Sequence, residues 1–178
     1  MDTKKKILWI TQTAVFTALL IVTQTITSSM STLVTGSIVN LILILSVMMY
    51  GLPTALTVAA ISPLIARFLG IGPLWSLIPF IAAGNLALVF LWHIIGNRKI
   101  INVHITCIIA TIVGALGKFI VLYFGIVKFA IPLLLNLPAK QATAISTVFS
   151  VPQLITATIG GILATLIIPA IKNAFKER

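Results

Sequence analysis

Between Asp2 and Glu177, the two acidic residues of a 178-residue chain, the sequence is a succession of apolar runs, each about as long as a bilayer is thick. A helix rising about 1.5 Å per residue needs roughly 20 residues to cross a hydrocarbon core of ~30 Å. Six runs meet or approach that length: Ile7 to Ile26, Leu33 to Tyr50, Pro53 to Leu69, Trp75 to Ile95, Ile101 to about Gly125, and about Ala142 to Ile171. Only 8% of residues are charged, against about a quarter in an ordinary soluble domain. The expectation is an all-α polytopic membrane protein: one integral domain over residues 1–178, a bundle of six transmembrane helices.

An even number of spans puts both termini on one side. Lys4, Lys5, Lys6, Arg98, Lys99, Lys172, Lys176 and Arg178 fall on that side, and the opposite connections carry only Lys128 and Lys140. Cytoplasmic connections are enriched in Lys and Arg, so both termini are expected in the cytoplasm and the protein in the cell membrane. The net charge of +10 is then a topology signal and calls for no nucleic acid. Trp9, Tyr50 and Trp92 fall near inner helix ends on this reading, and Trp75 and Tyr123 near outer ones, where amphipathic rings anchor at the interface.

The scarcity of acids excludes most membrane chemistry. Aspartyl, metal-dependent and zinc-dependent catalysis all require carboxylates or clustered ligands. The chain offers His93, His104 and a lone Cys107, with no acid near them. No metal, no cofactor and no enzymatic activity are expected. A glycine-rich phosphate loop is also missing from the sequence, so uphill transport would draw its energy from another subunit.

What remains informative is the polar residues within the apolar runs. Asn40 lies early in the second run, Arg67 near the outer end of the third, Asn85 near the middle of the fourth, Lys118 in the outer half of the fifth, and Gln153 about a third of the way down the sixth. A charge at mid-bilayer costs about 2.5–3.5 kcal/mol on insertion scales, and no acid stands ready to pair with Lys118. Either the two cations snorkel to the headgroups or they line a cavity. Gly114, Ala115 and Gly117, just before Lys118, favour a helix contact or cavity wall there. Asn85 and Gln153 read equally well as interhelical hydrogen-bond glue; taken together, the five residues are the candidate binding set for a polar ligand, an anionic group being favoured, in an outward-facing pocket. Pro63, Pro79 and Pro152 are read as kinks inside spans. The stretches Thr25 to Ser37 and Phe129 to Pro138 are read as the longest outer connections and candidate lids.

The first run contains Thr13-Ala14-Val15-Phe16-Thr17-Ala18-Leu19-Leu20, an alanine pair four apart behind a lysine-rich start. Further on come Leu33-Val34-Thr35-Gly36-Ser37-Ile38-Val39-Asn40 and Ser150-Val151-Pro152-Gln153 leading to Gly160-Gly161. With the length and helix count, these make the whole chain resemble an S component, the substrate-binding membrane subunit of the energy-coupling factor (ECF) vitamin transporters of prokaryotic plasma membranes. The resemblance implies high-affinity capture of a vitamin or related micronutrient, and delivery by toppling on a module of one transmembrane scaffold subunit and two ATPases. It also implies that Ala14 and Ala18 meet the scaffold. Two other classes fit the same composition: a self-contained facilitator or channel, and a structural membrane subunit that binds no small molecule.

Overall fold

The computed structural model describes residues 3–98 and 102–176, and among them every regular element is helical. The helices are α1 (Thr3–Thr27), α2 (Thr32–Tyr50), α3 (Leu52–Phe68), α4 (Ile78–Gly96, entered through a 3-10 turn at Trp75–Leu77), α5 (Val103–Leu122), α6 (Ala139–Val148) and α7 (Val151–Lys176). Five of the helical stretches are long and apolar enough to cross a membrane, and α3, at 17 residues, is a shorter apolar helix. The protein is a multi-pass helical membrane bundle.

Short connections between the long helices carry clear stop and start signals. Ser31 caps α2 by accepting a hydrogen bond from the Val34 amide at 3.3 Å, and Asn102 caps α5 through the Ile105 amide at 2.9 Å. Both satisfy helix N-terminal donors that would otherwise be left unpaired. Gly51, at φ +82°, turns the chain from α2 into α3 with no other residue between them. That conformation suits glycine, which lacks the Cβ that makes positive φ costly.

Helix α2 is central, packed against α1, α3, α4 and α7, while α5 packs against α4 and α7. The main core joins Phe16 and Leu20 of α1, Ile42 to Ile44 of α2, Val58 of α3, Leu88 and Trp92 of α4 and Ala164 of α7. In α5 the buried residues Ala110, Thr111, Gly114, Ala115 and Lys118 oppose an exposed row of Ile108, Ile112, Leu116 and Ile120. The apolar row is the lipid-facing side, and the polar atoms point into the bundle. This is the arrangement expected where hydrocarbon replaces water outside.

Several boundaries differ from the sequence reading. The stretch Thr25 to Ser37 is mostly helix, leaving 28–31 as the connection between α1 and α2, because Ser31 starts α2 early. Phe129 to Pro138 is helical as far as Leu134, because α5 continues as a wider π-helical segment, Tyr123–Leu134, and only 135–138 connect it to α6. The last apolar run divides at Phe149 and Ser150 into α6 and α7. Pro79 and Pro152 lie in first turns, where a missing N–H costs nothing, and the interior prolines are Pro63, Pro132 and Pro169. Trp92 is fully buried in the core rather than at an interface.

Candidate functional site

Two glycine-mediated helix contacts assemble the site. Where α2 meets α7, Gly36 lies against Thr156 and, one turn on, Gly160 lies against Asn40; a Cβ on Gly36 would fall 2.9 Å from Thr156 Cγ2. Small and polar residues thus alternate across the contact, and the backbones approach closely enough for side chains to bond between helices. Asn40 Nδ2 donates to Thr156 Oγ1 at 3.3 Å. Where α4 meets α5, Gly84 accommodates Leu122, Gly117 accommodates Leu91 and Gly114 accommodates Trp92. This brings Asn85, next to Gly84, alongside Lys118, one turn before Leu122.

Lys118 does not snorkel. Its side chain is 4% exposed, and Nζ donates to Asn40 Oδ1 at 2.6 Å and to Asn85 Oδ1 at 2.7 Å. An ammonium has only donors to offer, so both amides turn their carbonyl ends toward it. No carboxylate lies among the described residues to neutralise it. The two amide oxygens are its hydrogen-bond partners among the described residues.

These three residues line the inner part of a cavity of about 290 Å³, at the end of the bundle away from the termini. Leu20 and Gln24 of α1, Ser62, Pro63 and Ala66 of α3, Ile78 and Ile81 of α4, and Leu122 line it, together with Ile71, Gly72 and Pro73 of the α3–α4 connection and Phe149 between α6 and α7. Of the predicted set, Asn40, Asn85, Lys118 and Gln153 line the cavity together. Gln153 is half-buried, and its Nε2 donates to the Val148 carbonyl at 3.2 Å, beside the division between α6 and α7.

Arg67 lies elsewhere. Its Nη1 donates to the Gly72 carbonyl at 3.3 Å, and its guanidinium sits 5.6 Å from the centre of the Trp75 ring. It ties the turn between α3 and α4, where Gly70 and Gly72 take positive φ, to the end of its own helix. That turn supplies cavity-lining residues, so Arg67 bears on the cavity through the turn and does not line it.

Ala14 and Ala18 are both exposed on α1. They lie along a shallow groove between α1 and α3 that also involves Trp9, Ile10, Thr13, Thr17, Ile21, Ile61 and Ile65.

Several residues of the site escaped the sequence reading, some lining the cavity and one, Thr156, holding Asn40 without lining it. Gln24 lies one helical turn from Leu20, so its place on an inward face was readable from the 3.6-residue period. Thr156 is one turn before Gly160 and three residues after Gln153, again one face. Ser28, Thr32 and Thr35 fall in the stretch read as a candidate lid and do line the cavity. His93 is bonded to Asn97 at 3.0 Å, away from the cavity. No group of metal-binding side chains occurs among the described residues.

No family model, curated protein or solved structure matches the chain.

Proposed function

We propose that this protein captures a vitamin-like micronutrient in the Lys118 cavity, as the S component of an ECF-type importer in a prokaryotic plasma membrane. Both termini lie in the cytoplasm, and the cavity opens outward. The observation that carries the reading is a buried amine bracketed by two amides at the inner end of a cavity. Intramembrane cations are costly and mark binding or transport pathways. A cavity of about 290 Å³ lies just below the ~300–1,000 Å³ range of ligand sites, which suits a small ligand.

The chain has no energy source of its own, so delivery falls to the scaffold and ATPases, which dock on the groove containing Ala14 and Ala18. The groove is apolar and shallow, and small side chains there let a partner helix approach closely. A self-contained facilitator is the competing reading.

The test is thermal shift of the purified protein against vitamins and their precursors, with calorimetry on any hit. One nanomolar ligand is expected. A blank on demonstrably folded protein, or ligand flux through the protein alone in liposomes without ATP, would overturn the proposal.

A further inference from the structure

We infer that the ligand is a small monoanion, a carboxylate or similarly acidic head on a largely apolar body, and that Asn85 is a specificity-determining donor to that head. This rests on the capture reading above and names its substrate class.

The bonds already made decide which atoms remain available. Lys118 Nζ has three N–H donors, of which two go to Asn40 Oδ1 and Asn85 Oδ1. Asn40 Nδ2 gives one of its two N–H groups to Thr156 Oγ1 across the α2–α7 contact. The Asn85 Nδ2 group has no acceptor among the described residues, and neither does the third N–H of Lys118. Because the ammonium fixes the carbonyl end of Asn85, the amide cannot flip to present an acceptor instead. The cluster therefore offers donors from two adjacent groups, which suits an oxygen-rich head such as a carboxylate.

Charge narrows the class further. The site holds one cation and no acid among the described residues. One negative charge on the ligand brings the buried site to neutrality. A phosphate monoester carries a charge of about −1.5 to −2 near pH 7 and would leave an uncompensated anion in a poorly solvated place. A cation would face Lys118 directly, and a neutral amide would leave the ammonium without a counter-charge. Leu20, Pro63, Ile78, Ile81 and Leu122 supply apolar walls beyond the head. The cavity volume of about 290 Å³ suits a small ligand better than a corrinoid.

The experiment uses matched probes on the purified protein in detergent: biotin and its amide, pantothenate with pantothenol and phosphopantothenate, nicotinate and nicotinamide, lipoate and lipoamide, with thiamine, riboflavin and cobalamin alongside. Myristate tests a carboxylate coming from lipid. The expected result is a water-soluble monocarboxylate hit whose neutral or phosphorylated counterpart binds at least tenfold more weakly. For that hit, Asn85→Asp, which puts a counter-charge on Lys118 while keeping the side-chain shape, should cost more than tenfold in affinity, and Asn85→Ala a smaller but measurable factor.

A neutral, cationic or phosphorylated hit would overturn the monoanion inference and leave the capture reading standing. Wild-type affinity in Asn85→Asp would overturn the role given to Asn85. Myristate as the sole hit, or no hit on folded protein, would overturn the capture reading itself.

Discussion

Gly160 sits so close to Asn40 that a Cβ added to the glycine would lie 2.8 Å from the asparagine's own Cβ and 2.8 Å from the Ser37 carbonyl oxygen. The second of these neighbours is backbone and cannot swing aside. The closeness of α2 and α7 is thus what holds Asn40 within reach of both Thr156 and Lys118.

Gly160→Ala is predicted to force the two helices apart. Overpacking of this kind costs about 1–3 kcal/mol, so the unfolding temperature in detergent should fall. Ligand affinity should fall with it, because Asn40 is displaced. An unchanged melting temperature and affinity would show that the contact has slack.

Replacing Lys118 separates binding from stability. Lys118→Met removes a buried charge that no acid among the described residues neutralises and so relieves its desolvation, while the Asn40 and Asn85 carbonyls it bonded line the cavity, where water can replace the amine. The variant should fold and melt near the wild-type temperature. Lys118→Ala and Lys118→Met should both lose more than tenfold in ligand affinity by calorimetry; wild-type affinity in either would remove the lysine from the binding site.

At the α1–α3 groove the prediction concerns a partner. Ala14→Trp or Ala18→Trp fills the exposed groove without reaching the cavity, so ligand affinity should stay within twofold. Co-purification with the proposed scaffold and ATPase subunits should drop sharply. Undiminished co-purification would count against docking on this face.

Arg67 should act on kinetics. Its hydrogen bond to Gly72 and its position over Trp75 hold the turn at the cavity mouth, and an exposed cation–π contact contributes about 0.5–1 kcal/mol. Arg67→Ala should raise both the association and the dissociation rate of ligand by roughly two- to fivefold, with little change in the dissociation constant. A large loss of equilibrium affinity with an unchanged dissociation rate would instead mean direct contact between Arg67 and the ligand.

The helices were legible because the bilayer leaves few alternatives: an apolar run of spanning length, with no water to satisfy its backbone, has to be a helix or part of a closed barrel. Lys118 and Asn85 were legible for a related reason, since each is an expensive residue inside an apolar run. What the sequence left open was direction. Arg67 and Lys118 are both cations near the same end of two spans, α3 and α5, yet one ties down a turn and the other enters the bundle. The difference lies in acceptors supplied from distant positions, Asn40 and Asn85 for the lysine and the Gly72 carbonyl for the arginine. The division of the last run at Phe149 was hidden for the opposite reason. Both halves are apolar, and Pro152 falls where it can either open a helix or bend one.

The cavity draws its two ends from different kinds of structure. Asn40, Asn85 and Lys118 come from within long packed helices, while Ser28, Met30, Ile71, Gly72, Pro73 and Phe149 come from connections or helix margins. Packed helices hold their shape, and connections open at small cost. The protein thus has a fixed floor under a movable roof. On the capture reading, the floor sets which molecule is retained and the roof sets how quickly it enters and leaves, so selection can tune one without rewriting the other.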